Sequence, residues 1–198
     1  MMMERSEKGS DQVSAGTRKD GVETRTTKMK VMVAIDESEG SFYALKWALH
    51  NLTAPSVGTP APDKAGSAAP EATLKTVGML FLVHVQPSLH EYVYPVGPAV
   101  MDSVKKAQEN RSAGILSRAL EMCKDKLVKA ETMIVTGDAR EMICEAAEQV
   151  HADLLVLGSR GLGKLSRTFL GSVSDYCAHH AKTPVLIVKP PMKESEKK

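Results

Sequence analysis

Glycines and hydroxyls gather in one stretch of this chain, Gly158 to Ser174, which reads G-S-R-G-L-G-K-L-S-R-T-F-L-G-S-V-S. Glycine lacks a Cβ, so a glycine-rich turn lets backbone N–H groups close on an anion. Ser172 and Ser174 stand at the start of a helix-like stretch. There the first backbone N–H groups are unpaired and the helix dipole is positive, so hydroxyl donors complete an anion site. Arg160, Lys164 and Arg167 can neutralise phosphate charge, or can simply face solvent. The chemistry on offer is phosphate binding. An apolar run, Leu154 to Leu157, comes before this stretch, and a second, Val185 to Val188, comes after it. That is strand, loop, helix, strand. In open parallel α/β sheets, ligands bind beyond the carboxyl ends of the strands.

Spacing separates the kinds of phosphate loop. Gly158 to Lys164 matches the P-loop pattern G-x-x-x-x-G-K-[S/T] until Leu165, which stands where the Mg²⁺-holding hydroxyl belongs. A P-loop also follows an early strand, whereas here only Val185–Val188 remains to follow. Gly161-Leu162-Gly163 begins the dinucleotide pattern G-x-G-x-x-G, but Ser166 replaces the third glycine. A third pattern, G-x₂-G-x₉-G-[S/T], is met without a gap by Gly158, Gly161, Gly171 and Ser172.

The elements that position this loop follow from periodicity. Lys30 to Asp36 is a near-continuous apolar run, as in a strand covered on both faces, and it ends in an acid. Asp36 serves equally well as a turn or cap residue, or as an acceptor for ligand hydroxyls. Ser38 or Ser41 caps a helix whose Phe42, Leu45, Leu49 and Leu52 share one face, with Trp47 at its margin. Residues 54–76 hold four prolines and two glycines and read as a flexible surface insertion. Met79 to Val85 is a second buried strand, and His84 within it reads as a hydrogen-bonded structural residue. The loop from Pro87 to Pro98, with Tyr92 and Tyr94, is expected over the strand tips. A long helix is expected from near Val100–Asp102 to Leu127, with Leu116, Leu120, Cys123 and Leu127 on its core face. Val128 to Thr136 is more polar and reads as an edge strand. After Gly137-Asp138, Ile143, Ala147 and Val150 face inward while Glu141, Glu145 and Glu148 face out. This β-α-β-α-β-α-β-α-β order calls for one parallel doubly wound sheet with right-handed crossovers. Two strand orders satisfy it.

Composition narrows the class. The chain has 198 residues with 42% hydrophobic and 25% charged residues, ordinary for a globular protein. Residues 1–28 are expected to be a disordered tail, 29–190 the folded domain, and 191–198 a charged tail. Serines and threonines in the first tail, such as Ser6 and Ser10, are available for phosphorylation. A net charge of +2 and 4% aromatics argue against nucleic-acid binding. No apolar run approaches the roughly 20 residues of a membrane helix, and no secretory signal is evident. The expected location is the cytoplasm, with nuclear access open. Cys123, Cys144 and Cys177 are far apart in sequence and read as buried hydrophobes in a reducing compartment. His179 and His180 lie about 100° apart around a helix, so they cannot share one metal face.

Five blocks together resemble the universal stress protein family in its ATP-binding subclass, most like plant members. They are V-A-I-D (Val33–Asp36), H-V (His84–Val85), T-G-D (Thr136–Asp138), D-L-L-V-L-G-S-R-G-L-G (Asp153–Gly163) and G-S-V-S (Gly171–Ser174). The resemblance runs from about Lys30 to Lys189. It implies a three-layer α/β/α sandwich around a five-stranded parallel doubly wound sheet of order 3-2-1-4-5, Rossmann-like and of the adenine-nucleotide alpha hydrolase type. It implies dimerisation through the last strand and an ATP or AMP site at the tips of strands one, two and four. Ala34, Asp36 and Val85 would flank adenine and ribose. The backbone of Gly158, Ser159, Arg160, Gly161, Leu162, Gly163 and Lys164 would wrap the phosphates. Ser172, Val173 and Ser174 would close the site. Any Mg²⁺ would be carried by the nucleotide, and no protein metal site is expected. The implied function is a dimeric stress-response regulator or sensor with an unidentified signalling partner and no catalytic residues. The alternatives are a slow ATPase acting as a switch and a nucleotide-free scaffold.

Overall fold

The computed structural model describes residues 26–53, 74–89, 97–161 and 170–191. The chain divides into two units, Met1–Thr27 with Ser56–Lys75, and Lys28–Pro55 with Thr76–Lys198. The core and the candidate site belong to the second. Most of the two expected tails, most of the 54–76 insertion and the tyrosines of the Pro87–Pro98 loop lie outside the described residues; Thr26 to Lys28, expected at the end of the disordered tail, instead open β1.

The elements run β1 (Thr26–Ala34), α1 (Glu39–Asn51), β2 (Leu74–Gln86), α2 (Pro98–Lys124), β3 (Ala130–Thr136), α3 (Ala139–Gln149), β4 (Leu154–Gly158), α4 (Ser172–His180) and β5 (Val185–Val188). The five strands form one sheet of order β3-β2-β1-β4-β5. Parallel register pairs Val31 with Leu154 and Val33 with Val156, Leu80 with Ala130, and Leu155 with Val185. The chain therefore builds leftward from β1 to β3, then crosses back to add β4 and β5 on the other side. Right-handed crossovers in opposite directions put their helices on opposite faces.

The core divides accordingly. Val31, Val33, Leu80, Leu82 and Val156 pack with α1 and α2 through Leu45, Leu49, Ile115, Leu116 and Ala119. Met32, Val83, Leu155 and Leu157 pack with α3 and α4 through Ile143, Ala147 and Cys177. Alternation along β1 and β4 sends successive side chains to opposite faces, and both faces are apolar because both are covered. β3, at one edge, is exposed at Glu131, Thr132, Ile134 and Thr136, as its polarity predicts.

Several boundaries differ from the periodicity reading. β1 begins at Thr26 rather than Lys30, and β2 at Leu74 rather than Met79. The outer ends of both strands carry Thr and Lys, so no apolar pattern marks them. β2 thus takes Leu74 to Thr76 from the expected insertion. α2 starts at Pro98, whose missing N–H is harmless in a first turn. It ends at Lys124, three residues before the expected Leu127. Leu127 is 95% exposed, with φ +55°, so the helical step that placed it in the core does not reach it.

A left-handed conformation strains a β-carbon, whereas glycine adopts it freely. Leu127→Gly is therefore expected to leave stability unchanged or raise it by up to about 1 kcal/mol. Leu116→Ala, in the core, should cost about 2–5 kcal/mol. Urea denaturation of both variants checks the contrast; a costly Leu127→Gly would contradict the placement.

Candidate functional site

The turn between β1 and α1 is built from three short polar side chains. Asp36 Oδ1 accepts from the Ser38 backbone N–H at 3.0 Å and from the Ser38 hydroxyl. Ser38 Oγ in turn accepts from the Ser41 N–H at 3.2 Å, which makes Ser38 the N-cap of α1. The Ser41 hydroxyl returns to Asp36, donating to its carbonyl at 3.0 Å. The turn-and-cap reading of Asp36 is met. Oδ1 serves the cap, while Oδ2 lies 2.6 Å from where a Cβ on Gly161 would stand.

Across the sheet, β4 ends in a loop tied on both sides. The Ser159 N–H donates to the Val188 carbonyl at 2.8 Å, and the Gly171 N–H donates to the Ser159 carbonyl at 2.9 Å. Ser174 donates its hydroxyl to the Gly158 carbonyl at 2.9 Å. Gly171 caps α4 with extended backbone and no side-chain hydrogen bond. A Cβ on Gly158 would stand 2.8 Å from the Gly40 carbonyl group, so β4 and the first turn of α1 meet backbone to backbone.

Between these pieces lies a cleft of about 250 Å³. Ala34 and Asp36 enter from β1 and the turn after it, Val85 from β2, and Gly158, Arg160 and Gly161 from the end of β4. Gly171, Ser172, Val173 and Ser174 enter from α4 and its cap. The cleft opens where the strand order reverses between β1 and β4, the switch point of a doubly wound sheet. Ser159 is not among the lining residues; it is 4% exposed, and its hydroxyl has no partner among the described residues. Leu162, Gly163 and Lys164 lie outside the described residues, as does Arg167. Of the two hydroxyls expected on α4, that of Ser174 donates to the Gly158 carbonyl in this structure. Ser172 is exposed.

Residues the sequence reading passed over also line the cleft: Ile35, Ser41, Ala139, Ile143 and Leu170. The α3 pair follows from the side-chain direction of a helix whose buried stripe ends at the strand tips. His84 lines the cleft too, and its Nδ1–H donates to the Ile35 carbonyl at 2.8 Å. Among the described residues, no group of three or more His, Cys, Asp or Glu side chains could hold a metal ion.

Two ion pairs flank the site. Arg111 on α2 grips Glu37, next to Asp36, with two hydrogen bonds that hold the Glu37 carboxyl below its ordinary range. Arg140 holds Asp138, the cap of α3, at about 2. Both pairs are exposed, so each adds little stability. Behind the cleft, two of the cysteines, distant in sequence, are neighbours. The Cys144 thiol on α3 lies 3.7 Å from Cys177 Sγ on α4, and the Cys177 thiol points to the Arg140 carbonyl at 3.9 Å. This contact holds α4 against α3 and so sets where the first turn of α4 meets the cleft.

A parallel doubly wound sheet with a glycine-lined cleft at its switch point defines the class of protein. The chain belongs to the universal stress protein family, which residues 28–189 match. It is 32% identical to the Bacillus subtilis universal stress protein YxiE over 160 residues, 81% of this chain and 98% of that protein. It is 39% identical over 84 residues, 41% of this chain, to an Arabidopsis thaliana universal stress protein A-like protein. It is 29% identical over 178 residues, 85% of this chain, to Arabidopsis thaliana PHOS34. The chain spans 48% and 64% of the length of these last two. Among solved structures, an Arabidopsis thaliana universal stress protein family protein with AMP bound is similar, with TM-score 0.55 and 25% identity, over 85% of this chain and 96% of that one. Hypothetical protein MJ0577 shares the fold, with TM-score 0.63 and 23% identity, over 83% of this chain and 98% of that one.

Burial pushes the Cys123 thiol up to about 11 and Cys177 up to about 12, and raises Cys144 as well. Folded values above the unfolded thiol value of about 8.5 favour the protonated form in the fold. That contribution is whole below about pH 8.5 and is lost as pH rises through the folded values. The folded chain is therefore expected to resist alkylation at pH 8 and to lose denaturant stability between about pH 9 and 11. Rapid alkylation of Cys144 or Cys177 in the folded chain, followed by peptide mapping, would contradict this packing.

Proposed function

We propose that this chain binds an adenine nucleotide, ATP or AMP, in the cleft at the tips of β1, β2 and β4, as a homodimeric stress-response regulator. One observation carries the reading. The cleft at the switch point is lined by glycines whose missing β-carbons would strike Asp36 Oδ2 or the Gly40 backbone. Such clearance brings backbone N–H groups close to a bound anion. The Arabidopsis relative with AMP bound supports the ligand class.

In this reading Ala34, Asp36 and Val85 flank adenine and ribose, with Asp36 Oδ2 accepting from ribose hydroxyls while Oδ1 stays with the cap. The backbone from Gly158 to Lys164 wraps the phosphates, and Ser172, Val173 and Ser174 close the site. Arg160, which is half-buried, supplies positive charge at the loop. Mg²⁺, where present, arrives with the nucleotide. The homodimer forms through β5, an edge strand with half-buried Val185, Leu186 and Ile187, whose outer side pairs with no strand among the described residues. A cytoplasmic location and a protein partner that reads the nucleotide state complete the proposal. Among the described residues no helix is long and apolar enough to cross a membrane.

The test uses the chain purified without added nucleotide. Denaturation should release AMP or ATP, identified by mass, and the native mass should be twice the 21.4 kDa of one chain. Titration should show AMP and ATP binding to the wild type. Gly161→Asp, which sets a second carboxylate beside Asp36, should weaken it on the order of a hundredfold. No released nucleotide and no measurable affinity would refute the reading. Turnover near about 1 s⁻¹, abolished by the substitution, would make the chain an ATPase instead. A native mass of one chain would refute pairing through β5.

A further inference from the structure

Gly40 belongs to none of the sequence blocks and lies in the first turn of α1, where alanine would form a better helix. Its surroundings give the reason for glycine. A Cβ at Gly40 would stand 2.5 Å from the Arg160 carbonyl oxygen, and one at Gly158 would stand 2.8 Å from the Gly40 carbonyl and 3.1 Å from the Ser41 nitrogen. All three obstacles are backbone atoms, which cannot swing aside as the end of a side chain can. The α1 side of the contact is held by the Asp36–Ser38–Ser41 hydrogen bonds. The loop leaving β4 therefore rests on a fixed surface, with Gly40 as the point of closest approach.

We propose that Gly40 is a positioning residue for the phosphate part of the site: by lacking a side chain it lets α1 seat the Arg160 carbonyl and so sets where the Arg160–Gly161 backbone stands. The inference rests on the adenine-nucleotide reading above and deepens it. It separates two halves of the cleft. Ala34, Asp36 and Val85 belong to β1, β2 and the capped turn, which a β-carbon at Gly40 meets only at Ser38 Oγ, at 3.7 Å, an ordinary van der Waals contact that displaces nothing. Arg160 and Gly161 belong to the loop that this β-carbon would displace. Losing Gly40 should thus cost affinity in proportion to phosphate, and spare the nucleoside.

Titrating adenosine, AMP and ATP into the wild type, Gly40→Ala and Gly114→Ala tests this. Gly114, on α2, is the control, because a Cβ there meets nothing within 4 Å. Gly40→Ala should bind AMP and ATP on the order of tenfold more weakly, about the worth of one hydrogen bond to a charged group. Adenosine should stay within about twofold of the wild type, and Gly114→Ala should match the wild type throughout. Unchanged AMP and ATP affinity overturns the inference, as does an equal loss for adenosine, which would mark a general defect of the fold. Should Gly40→Ala not fold, the wild type carries the test. AMP, and not adenosine, should slow amide exchange in the peptide spanning Ser38 to Phe42, and unchanged exchange with AMP overturns the inference. A wild type that binds AMP, with either contrary result, leaves the nucleotide reading standing; a wild type that binds no adenine nucleotide fells both.

Discussion

Two backbones touch with no side chain between them where the first turn of α1 meets the end of β4. The site depends on that contact. Any β-carbon at Gly40 or Gly158 would force the β4 loop away from the turn after β1. Everything around the contact holds one side or the other in place. On the α1 side, Asp36, Ser38 and Ser41 form a closed set of hydrogen bonds at the strand tip. On the β4 side, the loop is tied to β5 through Ser159 and Val188 and to α4 through Gly171 and Ser174. The sheet supplies the remaining constraint. Because β4 pairs with β1 after a reversal of direction, the two loops that leave those strands part to opposite faces and leave a cleft between them.

Rigid support of this kind is costly to build from long side chains, whose rotamer entropy would be lost on ordering. Here it is built from glycine, serine and one aspartate. Short side chains reach only close neighbours, and most of these partners are backbone groups at strand and helix ends. Farther out, the supports are larger and looser. Arg111 spans from α2 to Glu37, and the Cys144–Cys177 contact joins α3 to α4. The ion pair is exposed and the thiols are buried, so the α3–α4 side of the cleft has the drier support.

Much of this was legible in the sequence because it rests on local pattern. The apolar runs at Leu154–Leu157 and Val185–Val188 marked β4 and β5 to within a residue, since both strands are short and mostly apolar. The polar run before Gly137 marked an edge strand, and β3 is one. The spacing of Gly158, Gly161, Gly171 and Ser172 led to residues that the fold brings around one cleft. Patterns failed where local signal ends. The first residues of β1 and β2 mix Thr and Lys with scattered apolar residues and form no continuous apolar run, and Leu127 continues a helical rhythm past the helix itself. Gly40 looks like a weak helix residue until its tertiary neighbour is known. Cys144 and Cys177, 33 residues apart, gave no spacing signal because they belong to different helices.

The proposed function puts the nucleotide in the cleft at the switch point, with its phosphates against the α1-supported loop. A crystal structure of the full chain grown with AMP tests it most directly. Adenine and ribose should lie beside Val85 and Asp36, and phosphate oxygens within hydrogen-bond distance of backbone N–H groups at Arg160, Gly161 or the first turn of α4. AMP bound elsewhere, or in the cleft with its phosphate turned away from that loop, would contradict it.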